Sequence, residues 1–244
     1  MEDHDLLALE ADVLFVMSDS GRVVAENSPD RTASSRLYLA GCASLNIVRV
    51  RDDVDEETAQ ALESLAATEP ALREPESTPV HIDEYVALLA AEAPVEGCDS
   101  GLIWTFPERP AHQHPATLVA SDTAEGYRLL ARLTEEGMPA SLVAAGFVDI
   151  GEVWAPWCVA LEGDEIASIA FAARLGPAAA ETGVFTVPAF RGRGFAAAAT
   201  AGWARLPALR ERTLFYSTSR SNLSSQRLTQ RLGLRFIGAS FQIT

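Results

Sequence analysis

Arg191, Gly192, Arg193 and Gly194 place two cations and two residues without side chains in four consecutive positions. Upstream, Thr182–Val187 has the β-branched and aromatic content of a short interior strand. Pro188, which has no N–H to donate, ends it. Downstream, Phe195, Ala199, Trp203 and Leu206 recur at helical spacing in an alanine-rich run, predicting a helix over Phe195–Leu206. Strand, glycine loop and helix N-terminus together suit a phosphate. The glycines let the backbone approach a ligand closely. First-turn N–H groups lack partners inside the helix, and the macrodipole favours an anion there. Taken alone, the loop also reads as a plain strand-to-helix turn with solvated arginines.

Other chemically capable residues are sparse. His112 and His114 form an H-x-H pair in the loop Pro107–Pro115. Two ligands without a third make a poor metal site, so a loop surface is the preferred reading and no metal is expected. Cys42, Cys98 and Cys158 are far apart and odd in number, giving neither a disulfide framework nor a metal spacing. They read as small buried residues of a reducing compartment.

The 244 residues suffice for one large domain or two small ones, with an ordinary globular composition. No apolar run is long enough to span a bilayer. The acidic start, Met1 to Asp5, supports neither a signal nor a transit peptide. A cytoplasmic protein with no membrane partner is the expectation. The net charge of −15 is unevenly spread, and all 19 cations are arginine. Residues 173–244 hold ten arginines and two acids, whereas the preceding 172 hold nine arginines and 32 acids. An anionic ligand on the basic part and an amine near the acidic part would fit, although solubility alone accounts for the acids. Nucleic acid is disfavoured, because the arginines fall on several elements without aromatic interleaving.

In chain order, Asp5–Asp12 reads as a helix, and Val13–Met17 with Arg22–Ala25 as a hairpin around Ser18–Gly21. Arg36–Ala40 and Leu45–Val50 read as strands, and Asp55–Ala67 as a helix. Residues 1–75 thus form a small β-rich lobe with a closing helix. Glu69–Pro79, rich in proline and glutamate, reads as a linker. Residues 76–115 connect through a helix, His81–Ala91, and a strand, Leu102–Phe106. Residues 116–244 run strand (Thr117–Ala120), two helices (Ala124–Leu133, Pro139–Ala145), and two strands (Trp157–Leu161, Glu165–Arg174). The Thr182–Val187 strand, its loop and its helix follow, then a strand (Thr213–Ser217), a helix (Asn222–Leu232) and a last strand (Leu234–Gln242). Three antiparallel strands and a right-handed crossover to a parallel one make a mixed α+β sheet.

That order, with the loop after its fourth strand, resembles the GNAT superfamily of acyl-coenzyme A N-acyltransferases. The family loop [Q/R]-x-x-G-x-[G/A] is matched by Arg191, Gly192, Arg193, Gly194, Phe195 and Ala196, with Pro188 three residues before it. The family's last helix, N-x-x-[A/S]-x-x-L-Y-x-x-x-G-F, is matched by Asn222, Ser225, Leu228 and Gly233, with Leu234 at the phenylalanine position. Thr229 stands where the tyrosine is usual. The resemblance covers about residues 116–244. It implies a GNAT-like central mixed sheet with a splayed parallel strand pair and flanking helices.

It further implies acetyl-CoA as acyl donor, its pyrophosphate on the N–H groups of Arg191–Ala196. The pantetheine arm would pair with backbone groups of Phe185, Thr186 and Val187 like an added strand. A backbone N–H at Thr186 or Val187 would stabilise the oxyanion, and Asn222 would bond the cofactor. The acceptor would be a small-molecule or peptide amine, attacking directly with help from a base. Glu181 is the first candidate base; a strand-start surface glutamate is its other reading. The family position counts to Ala180, an offset that a β-bulge would correct. Asp149 and Glu152 are further candidates. Without the tyrosine, Tyr216 or Ser225 would protonate the leaving thiolate, or no acid would be used. Phe147, Trp154 and Trp157 would wall an acceptor pocket or belong to the core. A catalytically weak acyl-CoA-binding protein of the same fold is the alternative function. The N-terminal lobe could extend the sheet, cap the acceptor site or form a homodimer.

Overall fold

The computed structural model describes residues 1–108, 110, 112 and 114–244, with Glu152 through its backbone alone. Its helices are α1 (Asp3–Leu14), α2 (Glu56–Ala66), α3 (Ile82–Ala90), α4 (Ala124–Glu136), α5 (Ala140–Val143), α6 (Phe195–Trp203) and α7 (Leu223–Leu232). Its strands are β1 (Phe15–Met17), β2 (Val23–Glu26), β3 (Leu37–Gly41), β4 (Asn46–Val50), β5 (Cys98–Thr105), β6 (Thr117–Ala120), β7 (Trp157–Glu162), β8 (Glu165–Leu175), β9 (Ala179–Thr186), β10 (Thr213–Ser219) and β11 (Arg235–Ile243). Two compact units result. The first comprises Met1–Thr105, Ser217–Ser225 and Arg235–Thr244; the second comprises Phe106–Tyr216 and Gln226–Leu234. Among the described residues no helix is long and apolar enough to cross a membrane.

In the first unit β1 and β2 form the expected hairpin, with Gly21 at φ +79° in the turn. The larger sheet runs β4-β3-β11-β5, all antiparallel. The last strand of the chain therefore lies between two strands from its first half, pairing Ile243 with both Leu37 and Cys98. The order of elements in the sequence groups it instead with residues 116–244. Period-2 alternation identifies a strand but not its neighbours. Helix α1 turns Leu6, Leu7, Ala11 and Val13 into the interior. Helix α2 is capped by Asp55, which accepts the Glu57 N–H at 3.1 Å, and it buries Ala59, Leu62 and Ala66.

The Glu69–Pro79 segment is not a solvated linker. Glu69 is only 7% exposed, and its carboxylate accepts the N–H groups of Val80 and His81 and the hydroxyl of Tyr85. One buried anion thus draws both ends of the loop together. Burial, and then the Glu69 charge, push the Tyr85 hydroxyl's pKa well above its ordinary value. Glu69→Ala should strand three donors and lower the stability of this unit by about 2–4 kcal/mol, read as a shift in its urea midpoint.

In the second unit the strand order is β6-β7-β8-β9-β10. The first four are antiparallel, and β10 is parallel to β9 after the α6 crossover. The β9–β10 ladder joins Ala179–Glu181 to Thr213–Phe215 and stops there, while β9 stays paired to β8 as far as Thr186. The result is a mixed α+β sheet whose parallel pair parts after Glu181. Helix α6 is rich in small residues because it lies close on β7. A Cβ at Gly202 would fall 2.6 Å from the Cys158 sulfur. Trp203 is fully buried and donates its indole N–H to Pro156 O at 2.9 Å. Cys158 is a core residue whose thiol pKa is pushed up to about 12 by burial. Cys42 is buried too, but Cys98, at the start of β5, is exposed, contrary to the expectation from sequence.

Candidate functional site

Strand β9 leads into a single 3-10 turn, Pro188–Phe190, and then into the glycine loop. Gly192 and Gly194 have φ +76° and +94°, a region that side-chain-bearing residues rarely adopt. Gly194 is the N-cap of α6 and supplies no side-chain cap, whereas Thr123 caps α4. Among the described residues no hydrogen bond leaves the amides of Gly192 to Ala196. These donors at a positive helix end fit an anionic phosphate group.

The two arginines of the loop are not equivalent. Arg191 is exposed, and its Nε reaches Thr186 O at 3.4 Å. Arg193 pairs with Glu162 on the β7–β8 turn, and its guanidinium stands 5.5 and 5.2 Å from the rings of Phe190 and Phe195. Its charge is therefore largely matched within the protein, and the loop owes its anion preference mainly to backbone groups.

Hydrogen-bond parity corrects two of the backbone assignments. Val187 donates its N–H to Ala167 O at 3.0 Å. Along β9 the odd-numbered residues therefore turn their backbone groups toward β8, and Thr182, Val184 and Thr186 turn theirs to the opposite edge. Phe185 O is likewise engaged, accepting the Ser168 hydroxyl at 2.8 Å. An extended ligand on the open edge would thus meet Val184 and Thr186, not Phe185 and Val187. Of the two expected oxyanion donors, only the Thr186 N–H faces that edge.

Glu181 lies within β9 rather than at its start, and it is 6% exposed, so the reading as a surface glutamate fails. Its register partners are Phe215 on β10 and Arg174 on β8. A register shift does occur beside it, but on β8 between Ala172 and Arg174. Strand β9 alternates regularly, leaving Glu181 on the face shared by Gly183 and Phe185. On that face Phe147 packs its ring 5.8 Å from Phe171 and 5.5 Å from Phe185. Trp157 is buried in the core, while Trp154 is half-buried. Asp149 accepts the Gly151 N–H at 2.7 Å in a local turn, and the Glu152 side chain lies outside the described residues. Tyr216 is buried on β10, one residue past the end of the β9 ladder.

Asn222 and Ser225 belong to the first unit, whereas Glu181, Phe185–Ala196 and Tyr216 belong to the second. The Asn222 side-chain oxygen accepts the Ser225 N–H at 3.1 Å and so caps α7. That cap gives this asparagine a structural role that needs no ligand. Asn222→Ala should cost about 1 kcal/mol, checked by chemical unfolding. Thr229 is 1% exposed, and its hydroxyl donates to Gln226 O at 2.8 Å. It therefore cannot serve as the acid that the missing tyrosine would have been. Gly233, at φ +67°, ends the helix as expected.

The H-x-H pair is not mere loop surface. His114 lies against the glycine loop, with its Nε2 2.9 Å from Arg193 O and its ring 4.9 Å from that of Phe195. His112 stacks on His114 at 6.2 Å, and burial, then His114, Arg231 and Arg205, lower its pKa from the usual imidazole value. Arg205 holds the same segment by donating to Pro110 O at 2.7 Å. An H-x-H spacing carries no sign of the contact between His114 and Arg193, 79 residues apart in the chain.

The sequence matches no known family model and no curated protein. Solved structures similar to it include a GNAT-family protein from Novosphingobium aromaticivorans, with 23% identity and a TM-score of 0.41 over 62% of this chain and 66% of that one. Another is a GNAT-family acetyltransferase from Colwellia psychrerythraea, with 12% identity and a TM-score of 0.45 over 81% and 75%. A third is a GCN5-related N-acetyltransferase-like protein from Streptococcus suis, with 14% identity and a TM-score of 0.41 over 99% of both chains. The chain spans just under two thirds of the first of these. At such distances the reading of the site rests on its own geometry.

Proposed function

We propose that the second unit binds acetyl-CoA on the Arg191–Ala196 loop and transfers the acetyl group to a primary amine of a small molecule or peptide. The observation that carries this reading is the pairing of two features on one strand. An uncapped helix N-terminus with two left-handed glycines follows β9, and β9 itself leaves the β10 ladder after Glu181. The donor supplies a thioester whose acyl carbon is open to attack. The amides of Gly192–Ala196 hold its phosphates, and Val184 and Thr186 offer backbone groups to its arm. The Thr186 N–H stabilises charge on the carbonyl oxygen. Glu181 takes the amine's proton, directly or through water. The N–C bond forms as the C–S bond breaks, and the thiolate leaves to be protonated by Tyr216 or by solvent.

Acyl-CoA binding without turnover is the second reading, favoured by the engaged hydroxyl of Thr229. One experiment separates them: acetyl-CoA thiol release against polyamines, aminoglycosides, amino acids and peptide N-termini, beside a CoA thermal-shift titration. Release with any acceptor supports transfer; a CoA shift without release supports the binding protein. No CoA shift, together with wild-type behaviour of Arg191 and Gly194 variants, overturns both.

A further inference from the structure

We propose that His114 is a positioning residue for the phosphate loop, setting the orientation of the Arg193–Gly194 peptide on which cofactor affinity depends. The inference rests on the reading of that loop as a CoA site. His114 Nδ1 accepts the N–H of Ala116 at 3.1 Å. A neutral imidazole carries its one proton on the other nitrogen. Nε2–H is therefore the donor in the 2.9 Å contact with Arg193 O. A trans peptide aims its C=O and the following N–H in opposite directions. Holding Arg193 O toward His114 thus points the Gly194 N–H away from it, as part of the anion cradle.

The loop needs such a hold. Glycines at 192 and 194 flank Arg193, so the 193–194 peptide can rotate with little steric resistance. The ring of His114 adds a lateral stop. A Cβ at Gly194 would meet its Cδ2 at 2.9 Å and its Nε2 at 3.1 Å, with Arg231 Nη1 at 3.6 Å. Edge-to-face packing on Phe195 and stacking from His112 hold the ring in place. Helix α6 begins at Phe195, so His114 joins the β6 side of this unit to the first turn of that helix.

The test measures binding of CoA and of pantetheine, which lacks the phosphates, to the full-length protein and its His114 variants. His114→Ala and His114→Phe should weaken CoA about tenfold and leave pantetheine unchanged. Phenylalanine keeps the ring packing but lacks the donor. His114→Gln, whose Nε2 offers a donor at similar reach, should stay within about twofold of wild type. Should His114→Phe bind CoA as tightly as the wild type, or should CoA and pantetheine weaken together, the positioning role is wrong while the CoA reading stands. Should the wild type bind no CoA at all, both fall.

Discussion

Gly194→Ala is expected to weaken CoA binding about 30- to 100-fold, the larger of two glycine effects in this loop. An alanine forced to φ +94° carries strain of about 1–3 kcal/mol. Its Cβ would also sit within 3 Å of the His114 ring and break the Nε2–H contact to Arg193 O. A factor of ten in affinity corresponds to about 1.4 kcal/mol, so the two contributions together reach this range. Gly192→Ala is the internal control. At φ +76° it bears similar backbone strain, but nothing lies within 4 Å of the added methyl. It should lose about tenfold or less. Calorimetric titration with CoA measures both, and equal losses would show that contact with His114 adds nothing to the strain.

Glu181→Gln should lower kcat for acetyl transfer by about 10²- to 10³-fold, with CoA affinity within about twofold of wild type. The substitution keeps the shape of a buried side chain on a central strand but removes its capacity to take a proton. Packing between Arg174 and Phe215 should survive, so the melting curve should stay close to that of the parent. A kcat equal to wild type would remove Glu181 from the mechanism. Asp149 would then be tested next, since it stands just before the 3-10 turn Ile150–Glu152, between α5 and β7.

The glycine loop is readable from sequence because its requirement is local: glycine adopts those φ values at little cost, and the following helix offers free amides. The splay of β9 from β10 was reachable through a resemblance, not through pattern, because nothing in Thr182–Thr186 says which edge lacks a partner. Backbone parity escaped for a related reason. Side-chain alternation identifies which face a residue occupies, but the direction of its N–H within the sheet depends on where the β8 ladder begins. Glu69 and His114 escaped because each looks like a surface residue among its neighbours, and its partners are distant in sequence or lie on backbone atoms. Asn222 shows the reverse case. Its spacing was legible, and the cap it forms on α7 would produce that spacing without any ligand.

The place of β11 has a consequence for how the chain is made. Strands β3 and β5 are synthesised more than 100 residues before the strand that separates them, and β11 pairs with both. Until Arg235–Ile243 leaves the ribosome, each presents an open edge able to pair with the wrong strand. Closing that sheet joins Leu37–Gly41 to the distant Ala239–Ile243, a high-contact-order event expected to be slow. A fragment ending before Arg235 should therefore aggregate rather than fold its first unit, and the nascent protein should depend on protection of those edges until β11 has been made.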